Sequence, residues 1–117
     1  MSDEWEGYQL ENAIDSVGPG WATIIKDLWA LKPDSVKVTT VKEKLGGLRV
    51  YFQAADEYDY NFFDEAVEDA EVEAEHTCEF CGKIGSIRED SYAKYHWYKC
   101  VCEEHKDWHD MNLRTYS

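Results

Sequence analysis

Residues 76–85 read HTCEFCGKIG, and residues 99–105 read KCVCEEH. Cys78 and Cys81 are separated by two residues, and so are Cys102 and His105. Zinc takes thiolates and imidazoles in a tetrahedron at about 2.0–2.3 Å, and ligands two residues apart fit one tight turn around the ion. Gly82, directly after the first pair, permits that turn. The segment 82–101 between the pairs has room for one strand out and one back. The pattern predicts a zinc-ribbon or treble-clef-like site of Cys78, Cys81, Cys102 and His105. Four protein ligands close the coordination shell, so the expected role of Zn2+ is structural and no catalytic residue is assigned.

Other readings of these residues stay open at this point, a pair of disulfides among them, which a reducing compartment disfavours. Cys100 is the alternative to Cys102, although Cys100-x-Cys102 is short for the usual turn; His76 or His109 is the alternative to His105. A redox dithiol at Cys78 and Cys81 wants a cationic or helix N-terminal setting, whereas Glu73, Glu75 and Glu79 make this flank acidic. The zinc-deaminase pattern needs a Glu two residues after the His and a Pro before the first Cys; HTCEF has neither.

Working outward, the 117 residues favour a single domain, with a helix and hairpin part over 1–75 and a zinc-binding part over 76–117. Aromatic residues make up 15% of the chain, enough to expect a folded core rather than disorder. The formal charge of −13 argues against a protein that binds nucleic acid directly by neutralising phosphates, and against docking on an anionic membrane. It suits a protein whose partner presents a basic surface. The stretch MSDEWEGYQLENA is acidic and lacks an apolar core, unlike a signal peptide. No segment reaches the ~20 apolar residues of a membrane helix. The expected location is the cytoplasm, where reduced, clustered cysteines more often hold metal.

Apolar spacing predicts two helical pieces between Tyr8 and Leu31: Leu10, Ile14 and Val17, then Trp21, Ile24, Ile25, Leu28 and Leu31, separated by Gly18-Pro19-Gly20. SVKVTTVKEKLGGLRVYFQA (35–54) reads as a β-hairpin. Val36, Val38 and Thr40 alternate on one strand, Leu48, Val50 and Phe52 on the other, and Gly46-Gly47 supplies positive φ at the turn. Lys37, Lys42, Lys44 and Arg49 make the other face basic. Residues 56–75 hold ten acidic residues and no basic ones, yet Phe63, Ala66, Val67, Ala70 and Ala74 keep a helical period, with Asn61 as the candidate N-cap. A short terminal helix is expected to bring Trp108, Met111 and Leu113 inward. The fold class is α+β.

Together, Gly20-Trp21, VKEKLGGLRVYF and CEFCGKIGSIR followed by Cys-x-x-His resemble a group of small uncharacterised bacterial and phage proteins. These have a VKEKFGGLR-type hairpin and a zinc-ribbon-like end, and the likeness covers residues 20–106. Leu45, where the group's pattern has Phe, and the additional Cys100 depart from it. The resemblance implies the same four ligands and a bacterial or phage origin; it implies no activity.

Three readings of function compete, and none makes the protein an enzyme. The acidic segment can be a solvated face, part of it lying against the basic side of the hairpin. It can also mimic nucleic acid: residues 62–75 carry seven carboxylates over about 21 Å at 1.5 Å per residue. That is close to the ~3.4 Å spacing of phosphates on one DNA strand. Glu68, Asp69, Glu71 and Glu73 are the candidate partner-binding residues, and an inhibitor of a nucleic-acid-handling protein is the implied class. The alternative is nucleotide or anion binding by Lys42, Lys44 and Arg49, with free turn N–H groups forming an anion nest. KEKLGGLR is no P-loop, since it lacks the Gly-Lys-Ser/Thr ending.

Overall fold

The computed structural model describes residues 7–90 and 97–106. Helix α1 (Leu10–Asp15), a 3-10 turn (Pro19–Trp21) and helix α2 (Ala22–Leu31) open the chain. The break falls at Gly18-Pro19-Gly20, with Pro19 at the first helical position, where its missing N–H has no partner to lose. Trp21, Ile24, Ile25 and Leu28 are buried as their spacing requires. Leu31 is exposed, because α2 ends on it and the chain leaves the core there.

Strands β1 (Val36–Lys44) and β2 (Gly47–Ala54) pair antiparallel, from Val36↔Ala54 to Lys44↔Gly47. The loop is therefore Leu45-Gly46, with φ of 54° and 81°. Two positive φ values give the primed turn whose twist matches a hairpin. The expected Gly46-Gly47 pair is corrected by one position: Gly47 already belongs to β2, and a leucine occupies the left-handed region. A register shift between Val38 and Thr40 moves the alternation of β1 by one residue. Val36, Val38 and Val41 thus face the core, and Thr40 does not. On β2, Leu48 and Val50 are buried and Phe52 packs at the core margin, as read.

Helix α3 spans Glu57–Ala74. Its N-cap is Asp56, not Asn61: the Asp56 carboxylate accepts from the Tyr58 and Asp59 N–H groups at 2.7 and 3.2 Å. Phe63, Val67, Ala70 and Ala74 are buried on one face, the period the sequence carries. They join Ala13, Val17, Trp21 and the inward valines in one core, so the helices cover the apolar face of the hairpin. This corrects the expectation that α3 rests against the basic side. Lys42, Lys44 and Arg49 are exposed on the opposite side, and among the described residues no ion pair joins them to α3.

Strands β3 (Ser86–Asp90) and β4 (Trp97–Val101) form a second antiparallel pair, the excursion and return foreseen between the cysteine pairs. A 3-10 turn, Glu103–His105, follows. The α+β class is thus observed, with two small antiparallel sheets. The terminal helix with Trp108, Met111 and Leu113 lies outside the described residues, as does His109. Among the described residues no helix is long and apolar enough to cross a membrane.

A non-glycine residue held at positive φ costs of order 1 kcal/mol, and asparagine tolerates that region better. Leu45 is 57% exposed, so it has little packing to lose. Leu45→Asn is expected to stabilise the protein by about 1 kcal/mol, read from denaturant midpoints; unchanged or lower stability would contradict the strain at this turn.

Candidate metal centre

The Cys78–Cys81 turn is built by backbone hydrogen bonds. Gly82 N–H donates to the Cys78 carbonyl at 2.9 Å, and Cys78 N–H donates to the Lys83 carbonyl at 2.7 Å. Gly82 has φ of 84°, so the sharp turn read from its position is present. The second pair comes from the end of β4. Cys102 precedes the final 3-10 turn, and His105 closes it with its N–H bonded to the Cys102 carbonyl at 3.1 Å. A turn, a hairpin and a helical turn follow one another. The two ligand pairs thus sit at either end of the excursion and return expected between them.

The three sulfurs and the His105 ring nitrogen lie within 4.8 Å of one another. Cys81 Sγ to Cys102 Sγ is 3.5 Å, Cys78 Sγ to His105 Nδ1 is 3.6 Å, and Cys102 Sγ to His105 Nδ1 is 3.2 Å. Ligand atoms around a tetrahedral zinc lie about 3.5–3.8 Å apart, given metal distances of 2.0–2.3 Å. The donor set and its spacing therefore fit a four-coordinate metal ion. Cys78 and Cys102 are buried and Cys81 is exposed, so the cluster opens to solvent on one side only.

The electrostatics point the same way. Burial pushes the Cys81 thiol up, and neighbouring sulfurs add to this, to about 11. Burial also opposes ionisation of Cys102, but hydrogen bonds from His105 and the other two cysteines outweigh it and bring that thiol down to about 7. Crowded sulfurs cannot all ionise without a cation among them.

Cys100 is separate from the cluster. Its sulfur is fully buried and donates to the Glu75 carbonyl at 3.4 Å. Burial drives this thiol up to about 12, the behaviour of an inert core cysteine. The ambiguity between Cys100 and Cys102 is settled by geometry in favour of Cys102. His76 is exposed and outside the cluster.

The groups that anchor this site lie far from it along the chain, and of them only Gly20-Trp21 stands out in the sequence, as part of the resemblance. Gly20 N–H donates to the Glu79 carbonyl at 2.8 Å, and Trp21 Nε1–H donates to the Thr77 carbonyl at 2.8 Å. A Cβ on Gly20 would sit 2.0 Å from the Cys78 carbonyl oxygen, so only glycine fits. On the other side, Lys99 is buried between two carboxylates: Nζ lies 2.8 Å from Glu79 Oε1 and 3.0 Å from Glu43 Oε1. The second Glu79 oxygen accepts from Cys100 N–H at 3.3 Å. Burial raises the Glu79 carboxyl, and Lys99 holds part of that rise down. Glu43 completes the link by accepting from Gly46 N–H at 2.8 Å. The hairpin tip also touches β4 directly, since a Cβ on Gly46 would meet the Lys99 backbone at 3.2 Å.

That last bond corrects the anion-nest reading. The turn N–H offered to a ligand is already held by Glu43, leaving only the side chains of Lys42, Lys44 and Arg49 on the outer face. Of the candidate partner-binding residues, Glu68, Asp69 and Glu73 are exposed. Glu71 turns toward the sheet and accepts from Val50 N–H at 3.0 Å, covering the free edge of β2.

Removing one partner from a buried ion pair leaves an uncompensated charge, at a cost of about 3–5 kcal/mol. Lys99→Met is expected to destabilise by about that amount, and adding Glu79→Gln is expected to recover much of it. Additive losses in this double-mutant cycle would show that the pair is not coupled. Comparison of the chain with protein-family models, with curated proteins and with solved structures finds no match, so the site is argued from its own geometry.

Proposed function

We propose that the protein is a small structural-zinc protein that acts by binding another macromolecule through the acidic face of α3, without catalysis. The observation that carries the metal is the meeting of three sulfurs and one imidazole within 4.8 Å, a set that suits zinc above harder cations. Four protein ligands leave no open position for substrate. The ion would fasten the turn at Cys78 to the end of β4, and through Gly20 and Lys99 to the rest of the chain.

The acidic face supports the second half of the proposal. Glu65, Glu68, Asp69 and Glu73 are exposed, while the opposite face of the same helix is buried in the core. The carboxylates are therefore presented on a supported helix rather than a disordered tail. A protein with a basic, nucleic-acid-binding groove is the partner such a surface fits, and attraction of this kind steers association and weakens with salt. An inhibitor of a host nucleic-acid-handling or defence protein, as a phage would encode, is the form of the function in keeping with the small-protein resemblance. Exposed Tyr58 and Phe62 on the same helix add apolar contact to the charge.

Two outcomes test this. Native mass spectrometry should find one zinc per chain, kept in Cys100→Ala and lost in Cys102→Ser. Thiolates bind zinc and thiols do not. With Cys81 near 11 and Cys102 near 7, binding at neutral pH should release at least one proton, and affinity should fall more steeply with acid below about pH 7. A chain that binds no metal, or whose folding ignores a strong chelator, sinks the zinc assignment. For the interaction, capture of a basic partner should weaken in high salt and fail when Glu68, Asp69 and Glu73 become Lys. Capture that survives those changes points to another surface. Glu71 is unsuitable for this test because its carboxylate holds β2.

A further inference from the structure

We propose that the outer face of the β1–β2 hairpin is a docking surface for the acidic face of α3 from a second copy of this chain. The outer face gathers Lys37, Lys42, Lys44 and Arg49 around Tyr51, which is 50% exposed. Lys42 and Arg49 are directly opposed across the strands, and the Lys42 ammonium sits 5.7 Å from the centre of the Tyr51 ring. Among the described residues no carboxylate pairs with any of these four cations. Lys83, Arg88, Lys99 and Lys106 each have an acidic partner, whereas Lys26 and Lys32 stand apart from this face without one among the ion pairs of the described residues. In a chain of net charge −13, four cations gathered on one face without counter-charges form a local basic patch that fits an acidic partner.

The solvent face of α3 matches it. Glu65, Asp69 and Glu73 recur every four residues, about 6 Å apart along the axis. Cations two residues apart on a strand, as Lys42 and Lys44 are, repeat at about 6.8 Å. Both faces also carry exposed aromatic rings, Tyr51 on the hairpin and Tyr58 and Phe62 on the helix. A second copy thus offers charge at matching pitch together with apolar area. A nucleic-acid strand would also bring charge and stacking bases, and either partner would meet the repulsion of a chain of net charge −13, so it is the matched pitch of carboxylates and cations that favours the second copy. The chain's own α3 packs on the apolar side of the hairpin, so its outward carboxylates point away from these cations. It does not neutralise the outer face.

Because the two faces point in opposite directions, the contact is head-to-tail rather than two-fold. Such a contact propagates into stacks or closes into a ring. The inference rests on the reading of α3 as an interaction surface and names a partner for it.

Sedimentation of the wild-type chain over a concentration series tests it without any variant. At low salt the average mass should climb with concentration; at high salt it should return to the monomer. Two surface variants then fix the faces: Lys42→Glu with Arg49→Glu, and Glu65→Lys with Asp69→Lys. Each should be monomeric and should keep the wild-type circular dichroism spectrum. Mixed in equal amounts, they should form a dimer and stop there, because each retains one working face. A wild-type chain that stays monomeric in every condition overturns the proposal, and so does a mixture that fails to associate. Binding of a fluorescent single-stranded RNA that is lost in Lys42→Glu/Arg49→Glu, with no self-association, would hand the face to nucleic acid and equally overturn it. Neither result would touch capture of an unrelated basic protein by α3, so the two readings fail separately.

Discussion

Gly20 meets the Cys78–Cys81 turn with no room for a side chain, and the rest of the structure is arranged around that contact. The Gly20 N–H is spent on the Glu79 carbonyl, and its Cα faces the Cys78 carbonyl so closely that a Cβ cannot be placed. Trp21, fully buried, adds a bond to the Thr77 carbonyl. The N-terminal helical turn and the Cys78–Cys81 turn are thereby one packed unit, although 56 residues separate Trp21 from Thr77. A metal ion bound at Cys78 would act on backbone that Gly20 already grips.

The buried triad of Glu79, Lys99 and Glu43 does for the hairpin what Gly20 does for the helices. Burying a charged group is costly unless it is paired, and the Lys99 side chain, 1% exposed, lies between the Glu79 and Glu43 carboxylates. One partner sits inside the Cys-x-x-Cys turn and the other at the end of β1, where it also holds the Gly46 N–H. Buried ion pairs of this kind add little net stability over well-packed apolar groups. What they do is penalise every arrangement that separates the partners, so the hairpin tip and the cysteine turn are held in one relative position.

Charge is sorted by face rather than mixed. The helix layer turns its carboxylates outward on α3, and the hairpin turns its cations outward on the opposite side, with the shared apolar core between. Exposed charges screened over ~8–10 Å act as local patches more than as a net total. A formal charge of −13 therefore describes the chain's long-range behaviour and leaves room for a cationic surface within it.

The sequence by itself determined the elements and narrowed the candidate ligands, leaving Cys100 against Cys102 and His76 or His109 against His105 open. Periodicity placed the helices and the hairpin, because a helix or strand buried on one face must repeat its apolar residues at 3.6 or 2. Ligand spacing marked Cys78, Cys81, Cys102 and His105, because a tight turn around an ion leaves a fixed gap between donors. Only the tertiary structure decided the rest. The bulge after Val38 exchanged Thr40 for Val41, and Asp56 displaced Asn61 as the cap, since both depend on where the neighbouring strand and the preceding turn lie. Glu71 reads along the chain as a candidate partner contact and Glu79 as an acidic flank of the cysteines, while Glu43 and Lys99 carry no signal; each finds its partner far away in sequence. Hydrogen bonds and ion pairs between distant segments leave no period and no fixed spacing, so their pairing is settled only when the segments meet.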